Sequence, residues 1–173
     1  MNGFHFSHDA EAVFGDLDAM GHVNNVVFLR WIETARIAYW IHVTGQKTHP
    51  GGPDKEKDPD KEKNKDKSEG ARVPGPGVVS GALIDMILAR TEIDYRRPVN
   101  CGERLNVFVR TALIKRSSMV FEYAVTARSD EKIVAEAKTV VVCYDYQMMR
   151  PKLVPADMKA AILALDTEAR IEI

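Results

Sequence analysis

A chain of 173 residues, 45% of them hydrophobic, is long enough for one substantial core, since a domain of ~150 residues buries roughly 70% of its unfolded surface. Its 24 basic and 25 acidic residues leave a formal net charge of −1, a balance that gives no electrostatic reason to expect nucleic acid, whose binding normally demands a basic face. No apolar run approaches the ~20 residues of a membrane span.

The N-terminal "MNGFHFSHDAEA" has neither the apolar stretch of a signal peptide nor the arginines of a transit peptide. A soluble intracellular protein is expected, cytoplasmic, with a mitochondrial place left open only as the alternative. Cys101 and Cys143 lie far apart; they make no metal-ligand spacing, and no disulfide is expected without a secretion signal. A short strand is expected over residues 10–16. It leads into "GDLDAMGHVNN", residues 15–25, which packs two aspartates, a histidine and two asparagines ahead of a hydrophobic run.

That run, 26–43, reads "VVFLRWIETARIAYWIHV". Phe28, Ile32, Ala35, Tyr39 and His42 fall on one helical stripe, with Val27, Trp31, Ala38 and Ile41 beside it. Arg30, Glu33 and Arg36 occupy the remaining face. A helix apolar around most of its circumference is expected to be largely buried, with Asn24 or Asn25 as its N-cap. Residues 47–70 then carry seven lysines against seven acidic residues and no aliphatic side chain. Nothing there offsets the entropy of ordering, so an inserted, disordered surface loop within one domain spanning 1–173 is expected.

After the insertion the hydrophobic period becomes two. Phe121, Tyr123, Val125 and Ala127 alternate with polar or small neighbours over 119–128, and Leu105, Val107, Val109 and Leu113 do so over 105–114. Residues 87–96 and 133–144 behave similarly. "KRSS" at 115–118 and "SDEK" at 129–132 read as hairpin turns, and "PADMKAA" opens a terminal helix at 156–168. The pattern implies an antiparallel meander whose dry face needs a cover, and the 26–43 helix is the long apolar candidate. The expected class is α+β, a sheet wrapped around a central helix.

"FGDLDAMGHVNNVVFLRWIETAR" resembles the opening motif of the 4-hydroxybenzoyl-CoA thioesterase-like branch of the hotdog-fold family. "ARTEIDYRRPVNCGERLNVFVRT" is similar to its second and third strands, and "LVPADMKAAILAL" to its closing helix. The 47–70 insertion departs from the family's compact connection. The resemblance implies hydrolysis of acyl-CoA or acyl-carrier-protein thioesters without metal or cofactor, in homodimers or homotetramers with sites at subunit interfaces. It aligns Asp18 with the catalytic aspartate, as nucleophile or general base, and assigns the oxyanion donor to the backbone N–H of Asn25.

His22 is a further catalytic candidate, able to touch the thioester or orient Asp18. Val23 and Asn24, between these groups, join the substrate-binding candidates. Arg96 and Arg97, and Arg116, Ser117 and Ser118 in the next turn, are candidates for the CoA phosphates, for which guanidinium suits. Asp16 reads as support for the loop, and Glu33, flanked by Arg30 and Arg36, as an ordinary ion pair. The absence of G-x-S-x-G argues against an α/β-hydrolase. A hotdog dehydratase or hydratase and a non-catalytic acyl-thioester-binding subunit are the alternatives.

Overall fold

The computed structural model describes residues 1–45 and 86–172. The charged segment 47–70 lies outside them. Strand β1 (Phe6–Glu11) leads through a 3-10 turn (Phe14–Asp16) to helix α1 (Asn25–Thr44). Strands β2 (Met86–Tyr95), β3 (Arg104–Ile114), β4 (Ser118–Ala127) and β5 (Ile133–Asp145) follow, then β6 (Arg150–Pro151), helix α2 (Ala156–Leu165) and β7 (Arg170–Ile171). The sheet order is β1-β3-β4-β5-β2, with β6 on β5 and β7 on β3.

The meander holds for β3, β4 and β5, antiparallel in register from Leu105↔Ala127 to Ile114↔Met119 and from Met119↔Val141 to Val125↔Ala135. β2 departs from it by pairing with the far side of β5, Ile93↔Ala137 and Tyr95↔Ala135. The connector 96–103 therefore crosses the end of the sheet to reach β3.

The first strand lies earlier than expected, at Phe6–Glu11 rather than 10–16. Val13 and Phe14, inside the expected span, are exposed beside and on the 3-10 turn instead. In β1, Phe6, His8 and Ala10 face the helix opposite Val109, Val107 and Leu105. A histidine on that side and partial cover at the sheet edge weaken the alternation.

α1 begins where Asn24 accepts a hydrogen bond from the Val26 N–H at 3.0 Å, the standard way to satisfy a first-turn donor. It ends at Gly45, left-handed with φ 65°. Phe28, Trp31, Ile32, Ala35, Tyr39 and Trp40 are buried on the sheet's inner face, against residues such as Val107, Phe121 and Val125. Each large apolar side chain so buried contributes about 1.5–3 kcal/mol. The helix is less enclosed than its composition implies: Val26, Leu29 and Ile37 are exposed, because one sheet covers one side. His42 is exposed on the last turn, its ring 5.3 Å from that of Phe6.

The terminal helix stops at Leu165, three residues short of the expectation, because Asp166 turns inward. β1 begins opposite Val109, so among the described residues the Thr111 N–H on that edge of β3 has no strand partner. The buried Asp166 carboxylate takes its place, accepting from Thr111 N–H at 2.7 Å and Tyr39 Oη–H at 2.6 Å. Two residues on, β7 resumes the pairing, parallel to β3 at Leu113↔Arg170. Burial, then the bond to Asp166, pushes the Tyr39 hydroxyl far above the ordinary tyrosine range, so it stays a donor. Cys101 is exposed, Cys143 is buried, and no disulfide joins them.

Candidate active site

The segment between the 3-10 turn and α1 folds back on itself through a bridge between Leu17 and Val23. The Asp18 N–H donates to the His22 carbonyl at 2.8 Å, and the Gly21 N–H to the Asp18 carbonyl at 3.0 Å. Gly21 has φ 81°, a left-handed conformation that other residues adopt only with strain. The side chain of Asp18 completes the loop: Oδ1 accepts from the N–H groups of Met20 at 2.8 Å and His22 at 3.2 Å. Among the described residues no donor reaches Oδ2. One oxygen thus orients the carboxylate while the other stays open.

Asp16 does different work. It is 4% exposed, and its carboxylate accepts from Arg30 Nη2 at 2.7 Å and the Val13 N–H at 3.1 Å. Its carbonyl accepts from the Asn24 N–H at 2.8 Å. Asp16 therefore ties the turn, the loop and the first turns of α1 together. Arg30 is engaged there, and Glu33 pairs with Arg36 at 3.6 Å.

At the start of α1 three donors are accounted for: Asn24 N–H by Asp16, Val26 N–H by the Asn24 side chain, and Val27 N–H by the Asn24 carbonyl. Among the described residues nothing accepts from the Asn25 N–H. It is one of the amides a helix cannot satisfy internally, at the positive end of the helix dipole.

The connector 96–103 supplies the facing wall. It is held by Val23 N–H to the Val99 carbonyl at 2.9 Å and Gly102 N–H to the Ala12 carbonyl at 2.7 Å. Between loop, helix start and connector lies a cleft of about 380 Å³. Asp18, His22, Val23, Asn25, Arg96 and Arg97 all line it, so the fold brings six of the sequence candidates together. Phe28, Tyr95 and Pro98 line it as well. Asn24 is adjacent, spent on capping. Tyr95 had a legible signal, the two-residue period that places it with Ile93 on the helix-facing side of β2, although nothing in that period marks it as a wall of the site.

The arginines arrive already paired. Arg96 donates through Nε and Nη2 to Glu136 at 2.9 and 2.6 Å, and Arg97 through Nη2 to Glu103 at 2.9 Å. Glu103 is also bound by Asn100; burial alone would push its carboxyl up, but Arg97 and Asn100 hold it below the usual range. Arg116, Ser117 and Ser118 are not brought to the cleft. They sit at the other end of β3, whose 11 residues span roughly 33 Å at ~3.3 Å per residue. Among the described residues no group of three or more histidine, cysteine, aspartate or glutamate side chains is placed to hold a metal, and no helix is long and apolar enough to cross a membrane.

A family model described as the thioesterase-like superfamily matches residues 12–162. A thioesterase from Thermus thermophilus, solved with coenzyme A and zinc, is similar at 29% identity, with a TM-score of 0.68 over 96% of this chain and 98% of that one. A 1,4-dihydroxy-2-naphthoyl-CoA thioesterase from Synechocystis shares 19% identity with a TM-score of 0.67 over 93% and 97%. A thioesterase-superfamily protein from Jannaschia shares 20%, with a TM-score of 0.70 over 96% and 86%. A search of curated proteins finds no match. With the family model spanning most of its length and its sheet wrapped around a central helix as in these structures, the chain belongs to the thioesterase-like superfamily and has the hotdog fold.

Proposed function

We propose that the protein hydrolyses the thioester of an acyl-CoA or acyl-carrier-protein, releasing the free acid and the thiol. One observation carries this reading: a carboxylate pinned through a single oxygen, Asp18, shares a cleft with an unspent helix N-terminal amide, that of Asn25. In one route Asp18 Oδ2 attacks the thioester carbon, the thiolate departs and takes up a proton, and water cleaves the resulting mixed anhydride. In the other, Asp18 takes a proton from the attacking water and later returns it to the thiolate. Both routes place negative charge on the former carbonyl oxygen, where the Asn25 N–H and the helix dipole stabilise it. His22 lines the same cleft, where it would touch the thioester from the loop side or orient Asp18.

The assembled form is a homodimer or larger. Val13, Phe14, Met20, Val26 and Leu29 are exposed around the loop and helix start, and among the described residues nothing pairs with the outer edge of β2, a liability that proteins normally cover. A second copy supplies that cover. It is also the source from which Arg116, Ser117 and Ser118 would reach this cleft. Arg96 and Arg97 remain the phosphate candidates within the chain, a role that requires exchange of their carboxylate partners.

The test is a hydrolysis panel of short, long and aromatic acyl-CoAs, then acyl-carrier substrates, followed by free-thiol release. Turnover of at least one class supports the reading. Binding of a nonhydrolysable acyl-CoA analogue with no turnover of any class would replace it with a binding role.

A further inference from the structure

Two groups carry the proposed chemistry, the open oxygen of Asp18 and the free amide of Asn25, and both must be held in place. From the N-terminal side, the start of α1 is tied by the Asn24 cap and by the Asp16–Arg30 ion pair. The helix backbone runs closest to β1 and β3. On the β2 side a side chain, that of Tyr95, makes the connection.

Tyr95 closes β2 opposite Ala135, where the strand end is itself secured. The N–H groups of Arg96 and Arg97 both donate to the Val134 carbonyl, at 2.8 and 3.3 Å. From that fixed point Tyr95 grips α1 twice. Its hydroxyl donates to the Asn25 carbonyl at 3.2 Å. Its ring meets the Phe28 ring edge-on, with centroids 5.2 Å apart and planes at 82°, a favourable aromatic arrangement. Asn25 and Phe28 are the first and fourth residues of the helix, so the two contacts hold both ends of one turn. The hydroxyl bond costs the helix ladder nothing, because a carbonyl oxygen has two lone pairs and the ladder uses one. Phe28 is 2% exposed and meets Trp31 at 5.1 Å, which anchors the grip in the core. Tyr95 is 43% exposed and lines the cleft with Asp18 and Asn25. Partial burial raises its hydroxyl pKa above the ordinary tyrosine value, which keeps it a donor at neutral pH.

We infer that Tyr95 is a positioning residue for the oxyanion donor: through hydroxyl and ring it fixes the first turn of α1 so that the Asn25 N–H is aimed into the cleft. The inference rests on the thioester reading of this cleft. A slightly displaced amide still lets substrate bind, but it no longer meets the oxygen on which charge develops. Loss of Tyr95 is therefore felt in kcat and in recognition of the carbonyl oxygen, not in binding of the rest of the ligand.

The experiment uses the full chain and two variants. Tyr95→Phe keeps the ring contact and removes the hydroxyl bond; Tyr95→Leu removes both. Hydrolysis is followed on whichever acyl-CoA turns over fastest. Kd is measured for two analogues of butyryl-CoA: a ketone, with CH2 in place of sulfur, and a thioether, with CH2 in place of the carbonyl. Tyr95→Phe should lower kcat by about 10-fold and Tyr95→Leu by about 10²-fold, the scale of one lost oxyanion donor. KM and the thioether Kd should stay within about 2-fold of wild type. Wild type should bind the ketone about 5-fold more tightly than the thioether, as one hydrogen bond allows. That advantage should shrink in Tyr95→Phe and vanish in Tyr95→Leu. A kcat within about 2-fold of wild type in Tyr95→Leu, or an undiminished ketone advantage there, overturns the inference. So does a loss that lowers Tm and weakens both analogues alike, the mark of a purely structural role. Absence of turnover by wild type counts against the hydrolase alone, and the ketone advantage then decides. A wild type without that advantage removes the Asn25 donor and the inference with it.

Discussion

Replacing Asp16 by asparagine should destabilise the protein while leaving the chemistry intact. The carboxylate is buried and takes two donors, Arg30 Nη2 at 2.7 Å and the Val13 N–H at 3.1 Å. A hydrogen bond to a charged group contributes about 1.5–3 kcal/mol, and an unsatisfied buried donor costs about 1–3 kcal/mol. Arg30 is 59% exposed, so water re-solvates it and the ion-pair part is discounted. The amide retains one oxygen for one of the two donors, and its NH2 faces the other. A net loss of about 2 kcal/mol follows, which for a domain of this size lowers Tm by roughly 4–8 °C. Thermal melts with and without a saturating acyl-CoA analogue measure the loss, and kcat on folded protein should stay within about 10-fold of wild type, below the 10²-fold scale of a lost acid–base group. An unchanged Tm, or a fall in kcat as large as that of an Asp18 variant, would refute the division of labour between the two aspartates.

Other consequences follow from the same contacts. Burial alone would raise the Glu122 carboxyl, but Arg110 and Lys138 outweigh it and hold it below the ordinary glutamate value of 4.5. A depressed folded pKa contributes stability that is present above the unfolded value and lost as pH falls through the folded one. Glu122→Gln should therefore cost about 1 kcal/mol at neutral pH, a deficit that shrinks below about pH 4; melts from about pH 3 to 7 that show a constant deficit would contradict this. Tyr39→Phe removes one of the two donors to the buried Asp166 Oδ2 and should cost about 1–3 kcal/mol, with hydrogen exchange rising at 166–172; unchanged exchange there would show that the tail is anchored elsewhere. Sedimentation at assay concentration should give at least a dimer, and an active species of 19.4 kDa, the chain mass, would remove the shared-site arrangement.

Periodicity located α1 and the four long strands to within about two residues, because each buries a face whose repeat the sequence must carry. It set the first strand at 10–16 rather than at Phe6–Glu11, because an edge strand with His8 turned inward has little contrast. It left β2 in the meander, since pairing with β5 rather than β3 is a long-range choice with no local signature. At the site, the motif located the Asp18 loop and the helix start. The Asp16–Arg30 bond spans fourteen residues and cannot be read from i,i+3 spacing, which is why spacing alone gives Glu33 both arginines. Arg116, Ser117 and Ser118 look like phosphate ligands by composition, and only the length of β3 shows that one chain cannot bring them to Asp18. Tyr95 lies in the "DYRRPV" turn, where the paired arginines are the conspicuous feature.

The central claim is that Asp18 is the group that reacts. The most direct measurement is thioester hydrolysis by Asp18→Asn against wild type, with Kd for a nonhydrolysable acyl-CoA analogue and Tm taken on the same preparations. The amide preserves the shape of the side chain and the oxygen that accepts from Met20 and His22, but is neither nucleophile nor useful base. The account predicts a fall in kcat of about 10²-fold or more, with Kd within a few-fold and Tm within a few degrees of wild type. An Asp18→Asn protein that turns over within a few-fold of wild type at equal stability would contradict it.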